Sequence, residues 1–298
     1  MPISDNIIKA TFFDLESFHE SKLNIESNTF LHAIVMYDSL ANYYNSSEAK
    51  YKLLELRYEV NNNFRESIND FDDVERKSKD RHISFMSAIK IIDLYIINGE
   101  ADFNLIDKIE KYKKKYKKND ELTLLNLKKN QILFYLKEFE ELSENLRDIL
   151  KTLSRDNQYY NDFIDGLATL MMFDTNKEAL DQFSSSVYYI KQNNFSAAMP
   201  LLVELSLSDQ EIITSLSSYY LSYIYIKLNN YSLAEELISG IYGNDIYSQI
   251  IKLLSAEIDD YINKDIDAAT EKYLYFLDNY NSSIYYEDIR LRLMDIIG

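Results

Sequence analysis

Residues 227–237 read KLNNYSLAEEL, and two similar stretches flank them along the chain. KQNNFSAAMPL occupies residues 191–201, which begins 36 residues earlier. NKDIDAATEKYL occupies residues 263–274, where Ile266 stands 35 residues after Tyr231. A period of this length is typical of stacked repeats, so the repeat decides the choice of fold before any other feature.

Each copy has the same order of residue types: a polar pair, a large apolar residue and, three positions later, a small residue. We interpret this order as two helices joined by a tight polar turn. The large residue packs the turn against the preceding helix, and the small residue lies where the two helices cross closely. The large residues are Phe195, Tyr231 and Ile266, and the small residues are Ala198, Ala234 and Ala269.

Weaker copies of the pattern occur upstream. YLKEFEELSENL at 135–146 and VNNNFRESINDF at 60–71 place Phe139 and Phe64 after the turn, and a turn around Gly99 contains one or two extra residues. Only 5 Gly and 2 Pro occur in 298 residues, too few for the turns of a sheet protein. The sequence therefore predicts an all-α fold of about 14–16 helices. The predicted helices span 5–24, 29–43, 47–61, 64–79, 82–98, 102–117, 120–136, 139–153, 157–173, 176–191, 195–206, 209–228, 231–239, 245–262, 266–278 and 283–296.

The net charge of -17 is unevenly distributed. Residues 1–150 carry 22 Lys and Arg against 27 Asp and Glu, whereas residues 151–298 carry 10 against 22. This balance argues against a nucleic-acid partner, which requires a basic face, and against an anionic membrane surface. It favours a dispersed, acidic, soluble protein.

The chain has no cysteine, which excludes disulfides, thiolate zinc sites and thiol catalysis. The N-terminal residues do not show the pattern of a signal peptide, and no apolar run is long enough to span a membrane. We therefore expect a cytoplasmic protein, or a periplasmic one if this is a processed chain.

Three segments differ in how clearly they repeat. Residues 1–45 are read as divergent or capping helices, residues 46–156 as divergent hairpins, and residues 157–298 as clearer repeats with a C-terminal capping helix. No polar linker separates them, so one continuous solenoid is expected. The repeat register slips by one helix near 157–192, where the solenoid either changes curvature or absorbs the slip smoothly.

The hairpin pattern resembles the tetratricopeptide repeat, a helix–turn–helix unit of about 34 residues. Ala198 and Ala234 match its small position, Tyr225 its first-helix aromatic, and Ser222 the small residue before it, whereas Glu257 departs from the pattern. The resemblance covers about 187–280 clearly and 47–153 less closely. It implies a right-handed α-solenoid that acts as a protein-interaction scaffold.

The last unit, EKYLYFLDNYNSSIYYEDIRLRL, is similar to repeats of bacterial envelope accessory proteins. These are of the type of the Tol–Pal coordinator and the outer-membrane assembly lipoprotein. Asn281 stands where that repeat has proline. The resemblance implies a place in a bacterial multiprotein assembly.

Residues with catalytic or metal-binding potential are scattered. His19, His32 and His82 each stand alone, without a second ligand at metal-like spacing, and no phosphate-binding or nucleophile motif occurs. We expect no enzyme activity, no metal and no cofactor; a hydrolase with paired carboxylates is the remaining enzymatic alternative.

A basic run, KIEKYKKKYKK, occupies residues 108–118. Leu105, Ile109, Tyr112 and Tyr116 share one face of a helix, and the lysines occupy the others. The run is either a solvated helix face or a docking patch for an acidic partner. The patch would consist of Lys111, Lys113, Lys114, Lys115, Lys117 and Lys118.

The first helices of the hairpins line the concave surface in solenoids of this kind. Their apolar and aromatic residues predict a groove that binds an extended peptide or a helix of a partner protein. Part of this groove is alternatively inter-repeat core. Tyrosine doublets such as 219–220 and 285–286 are expected to place one ring in the core and the other at an edge. The predicted groove residues are Phe183, Val187, Lys191, Tyr219, Tyr223, Lys227, Leu254, Ile258 and Tyr261.

The sequence therefore favours a non-catalytic scaffold that binds a peptide or helix in a concave aromatic and aliphatic groove. The alternative is a regulatory sensor built on helical repeats, which binds a peptide or small ligand and changes curvature. The identity of the partner and the oligomeric state do not follow from the sequence.

Overall fold

The computed structural model describes residues 28–43, 46–61 and 63–297, and this part of the chain contains fifteen α-helices and no β-strand. The predicted all-α class is therefore confirmed. The predicted helix 5–24 lies outside the described residues. The helices are α1 Asn28–Tyr43, α2 Ser47–Asn61, α3 Phe64–Lys77, α4 Arg81–Ile97, α5 Phe103–Lys115, α6 Asn119–Tyr135, α7 Phe139–Thr152, α8 Tyr160–Met172, α9 Lys177–Lys191, α10 Phe195–Leu205, α11 Glu211–Lys227, α12 Tyr231–Ser239, α13 Ile246–Glu257, α14 Ile266–Asn279 and α15 Tyr286–Ile297.

The described residues divide into two compact units. The N-terminal unit contains residues up to 164 and the short segment 191–193, and the C-terminal unit contains 165–190 and 194–297.

The N-terminal unit has an apolar core and a buried charge. The ring of Phe71 meets that of Tyr51 edge-on at 5.5 Å, among other fully buried apolar residues. Glu75 is 5% exposed, and its carboxylate accepts hydrogen bonds from Lys115 at 2.5 Å and from the Tyr116 hydroxyl at 2.7 Å. A buried carboxylate is tolerated only when such donors replace its water.

One type of turn joins the two helices of five hairpins. After the first helix, a single residue adopts a left-handed conformation with positive φ: Gly99, Lys137, Asn193, Asn229 and Lys264. In the α11–α12 hairpin, the N–H of Asn230 donates to the Tyr225 carbonyl at 2.8 Å and that of Asn229 to the Ile226 carbonyl at 3.0 Å. This pair of bonds is the Schellman motif, which satisfies the last carbonyls of a helix. The same pair of bonds closes α4 and α6.

The small residues of the three clear copies lie where the sequence predicts. Ala198, Ala234 and Ala269 are each 0% exposed, so a larger side chain would push the paired helices apart. The turn at Gly99 contains two residues more than the others before Asp102 caps α5, within the predicted range. Ile266 departs from the pattern, since it is 43% exposed and does not pack the turn.

The last helix is held by a buried aspartate. Helix α13 continues as a π-helix, Ile258–Asn263, which leaves Asp260 2% exposed. Arg292 of α15 donates from Nε and Nη2 to the two carboxylate oxygens of Asp260, at 2.8 and 2.7 Å. Tyr273 donates its hydroxyl to the same carboxylate at 3.1 Å, and the Arg292 guanidinium covers the Tyr261 ring at 4.9 Å. The side-chain bond to Asp260 is the largest cause of a raised pKa of Arg292.

Lys264→Gly tests the cost of the left-handed turn. A side chain at positive φ is strained, whereas glycine is not, so this variant should raise the free energy of unfolding by about 0.5 kcal/mol. Lys111→Gly, on an exposed face inside α5, is the matched control and should lower it by about 1 kcal/mol. Urea denaturation measures both, and an equal loss in the two variants would contradict the role of the turn.

Arg292→Met tests the buried pair. Because Asp260 would keep its charge in the interior without its strongest donor, unfolding free energy should fall by about 3 kcal/mol. Arg290→Met removes an exposed ion pair with Glu287 from the same helix and should change stability little. Thermal and urea unfolding give the comparison, and equal effects would show that the Asp260 pair does not hold α15.

Candidate functional site

The predicted groove residues lie mostly inside the C-terminal half of the chain. Six belong to the C-terminal unit and are at most 4% exposed, and Lys191 is 3% exposed within the N-terminal unit. Only Lys227 and Tyr261 are partly exposed. In this structure the aromatic and aliphatic side chains pack between helices, and their contact with a partner stays a prediction. The six buried residues are Phe183, Val187, Tyr219, Tyr223, Leu254 and Ile258.

The basic run is divided between packing and solvent. The stripe Leu105, Ile109, Tyr112 and Tyr116 is buried, as its helical spacing predicts. Lys113 pairs with Glu110 at 2.8 Å and Lys115 with Glu75 at 2.5 Å. The remaining lysines of the predicted docking patch are exposed and form no ion pair with the described residues; these are Lys111, Lys114, Lys117 and Lys118.

A carboxylate among tyrosines forms a site that the sequence did not indicate. Asp165 lies on α8, Tyr220 on α11, Tyr247 in the first turn of α13, and Tyr285 just before α15, all in the C-terminal unit. Burial is the largest cause of the raised pKa of each tyrosine and the charge of Asp165 is a further one, so the carboxylate lies within electrostatic range of all three hydroxyls.

The rings of this site continue into the core. Tyr219 meets Tyr220 edge-on at 5.3 Å and Tyr247 at 6.2 Å. Tyr220 packs against Phe183 at 5.4 Å, which stacks on Phe173 at 5.2 Å. The site is therefore backed by a continuous aromatic cluster, and the rings have little freedom to turn away from a ligand.

Asp165 combines exposure with desolvation. Its side chain reaches solvent, yet burial by the surrounding protein raises its pKa to about 6. Among the described residues, its carboxylate has no ion pair or hydrogen bond, so it is a charge without a partner.

The tyrosine hydroxyls stay protonated at neutral pH. Burial is the largest cause of the raised pKa of each, and the nearby Asp165 charge adds to it; the pKa of Tyr285 rises to about 12. The exposed Asp165 carboxylate and the half-buried Tyr247 and Tyr285 form the surface of the site, whereas Tyr220 is 2% exposed and belongs to the core. A carboxylate beside phenol rings is chemically suited to a cation or a group with several N–H donors.

The N-cap of helix α13 holds the backbone of Tyr247 in place. The Asp245 carboxylate accepts the backbone N–H groups of Tyr247 and Ser248, at 2.9 and 3.2 Å. Its second oxygen accepts the hydroxyls of Ser215 at 2.9 Å and Ser248 at 2.5 Å. A Cβ on Gly243 would stand 2.3 Å from Ser248 Oγ, so any larger residue at position 243 would force this hydrogen-bond network to rearrange.

Three buried serine hydroxyls of α11 lack hydrogen-bond partners within the described residues. These belong to Ser217, Ser218 and Ser222, each at most 1% exposed. An unsatisfied buried hydroxyl costs about 1–3 kcal/mol. The three serines therefore act through their small size, which lets neighbouring helices approach α11.

Comparison of the chain with protein-family models, curated proteins and solved structures finds no match. The described helices include none with the length and apolar character needed to cross a membrane. In the same residues, no three His, Asp or Glu side chains are grouped so that they could hold a metal ion. His82 is exposed, and His19 lies outside the described residues, as does the side chain of His32.

The raised pKa of Asp165 gives a pH prediction. Because the fold favours the neutral acid, its contribution to stability is present at pH 4 and is lost as pH rises through about 6. Asp165→Asn should therefore melt at a higher temperature than wild type at pH 7, and the two should converge near pH 4. Thermal unfolding at a series of pH values measures this, and a pH-independent difference would contradict a desolvated carboxylate.

Proposed function

We propose that the protein is a non-catalytic interaction scaffold whose C-terminal unit binds a segment of a partner protein, within a multiprotein assembly. The observation that carries this proposal is Asp165, an exposed and desolvated carboxylate without a partner among the described residues, beside three tyrosines. A desolvated carboxylate without a partner is typical of a binding site. Acid–base and nucleophilic enzyme mechanisms need a second, oriented group beside it, so a single carboxylate does not suffice for them.

The scaffold is proposed to be a right-handed solenoid of tetratricopeptide-like hairpins. Consecutive helices pack together from α1 to α7 and from α10 to α15, and first helices also pack on the next first helix: α2 on α4, α4 on α6, and α11 on α13. Packing of each element on the second one along is typical of solenoid repeats. The recurrent Schellman turns and the buried alanines support the same architecture.

The partner segment is proposed to carry a lysine or arginine that reaches Asp165. An ammonium or guanidinium would supply the missing counter-charge and lie beside the half-buried rings of Tyr247 and Tyr285. The excess of 22 acidic over 10 basic residues in 151–298 would attract such a segment from a distance. The recognition site proposed here is therefore the surface around Asp165, and not the buried side chains of the groove predicted from the sequence.

A random-peptide selection tests this function without knowledge of the partner. The selected peptides should contain a basic residue flanked by apolar residues, and Asp165→Asn should weaken their binding at least tenfold in fluorescence polarisation. Asp288→Asn, an exposed site on α15 with the same change in charge, is the control and should bind as wild type does. Peptides without a basic residue, or equal affinity of wild type and Asp165→Asn, would overturn the proposal.

A further inference from the structure

The C-terminal unit contains a cavity whose lining includes no residue of the Asp165 site. It is a groove of about 520 Å³ between α12, α13 and α14. Cavities of this size accept a small organic molecule. Its lining residues are Glu235, Ile238, Ser239, Lys252, Ser255, Ala268, Glu271, Lys272 and Tyr275.

Lys252 supplies the groove with a cation that lacks a counter-charge. Its ammonium donates one long hydrogen bond, to the Ile238 carbonyl at 3.4 Å, and stands 5.7 Å from the centre of the Tyr242 ring. No carboxylate of the described residues pairs with it, and burial lowers the pKa of this lysine. An ammonium has three N–H donors, so two remain for a ligand.

Lys272, the other lysine of the groove, is already paired. Its ammonium contacts the Asp259 carboxylate at 2.6 Å and donates to the Ser255 carbonyl at 3.3 Å. The difference between the two lysines assigns recognition of an anion to Lys252 alone.

The other side chains that line the groove indicate what the ligand contains besides its anionic group. Ile238, Ala268 and Tyr275 give the groove an apolar side, and the Tyr275 ring is 55% exposed and available for contact. Glu235 and Glu271 also line the groove and would repel a polyanion such as a phosphate ester. One carboxylate attached to an apolar body meets both conditions.

We propose that this groove binds a small monocarboxylic acid with an aromatic or aliphatic body, whose carboxylate pairs with Lys252. The acid enters with its apolar group against Ala268 and Tyr275. This site shares no residue with the one around Asp165, so either proposal can fail without the other.

Titration calorimetry with 4-phenylbutyrate on the full chain tests the site. Wild type should bind the acid with a Kd below about 1 mM and should not bind 4-phenylbutanamide, which has the same shape without the charge. Lys252→Met keeps the apolar stem of the side chain and should weaken binding at least tenfold. Lys264→Met, an exposed lysine of the same unit outside the groove, is the control and should bind as wild type does.

A second variant guards against misfolding of Lys252→Met. Ala268→Phe fills the groove from α14 while it keeps the lysine, and it should abolish binding with an unchanged circular dichroism spectrum. Equal binding of acid and amide, or undiminished binding in both folded variants, would overturn the proposal. A wild type that does not bind the acid would also overturn the proposal. This holds as well if it binds a peptide with blocked ends and a glutamate side chain but not the free acid.

Discussion

A left-handed residue after the first helix is the constraint on which five hairpins of the described chain depend. It reverses the chain within a few residues, and in three of the five turns the two Schellman hydrogen bonds satisfy the carbonyls that the helix end would otherwise leave open. The second helix then returns along the first, where the buried alanines allow a close crossing. Only one of the five positions is glycine, so four turns accept strain in exchange for a fixed geometry.

Four charged residues of this protein form two groups, which differ in whether the charge has a partner. Glu75 and Asp260 are buried and satisfied by several donors, and they tie together helices that are distant in sequence. Asp165 and Lys252 are partly desolvated and have no charged partner among the described residues. The buried and paired charges stabilise the packing. Asp165 and Lys252 keep unused hydrogen-bonding capacity at the surface of the C-terminal unit, and charged groups of this kind are typical of binding sites.

Much of the fold could be predicted from the sequence, because local patterns determine it. The polar pairs before Phe195 and Tyr231 end one helix and begin the next, and the spacing of Leu105, Ile109 and Tyr112 defines a buried face. The doublet Tyr219–Tyr220 was predicted to split between core and edge, which is wrong since both rings are buried. A helix packed on several sides buries neighbouring positions alike, and periodicity within one helix does not reveal how many neighbours it has.

The residues of the two proposed sites could not be found from such patterns. Asp165 and Tyr285 stand 120 residues apart, and their proximity depends on how whole hairpins stack. Lys252 is one of ten basic residues in the C-terminal half, and only the position of α12 and α14 shows that it lacks a carboxylate. Periodicity identifies residues that build the repeats, whereas residues that bind ligands differ from copy to copy.

The π-helical turn at Ile258–Asn263 has a consequence for how α13 acquires a buried aspartate. A π-turn holds one residue more than the α-turn it replaces, so it is what a helix forms when a single residue is inserted and both ends stay anchored. The inserted residue rotates the following side chains by about 100° relative to the preceding ones. Such a one-codon change would bring an aspartate to the interior, where Arg292 of α15 supplies its counter-charge.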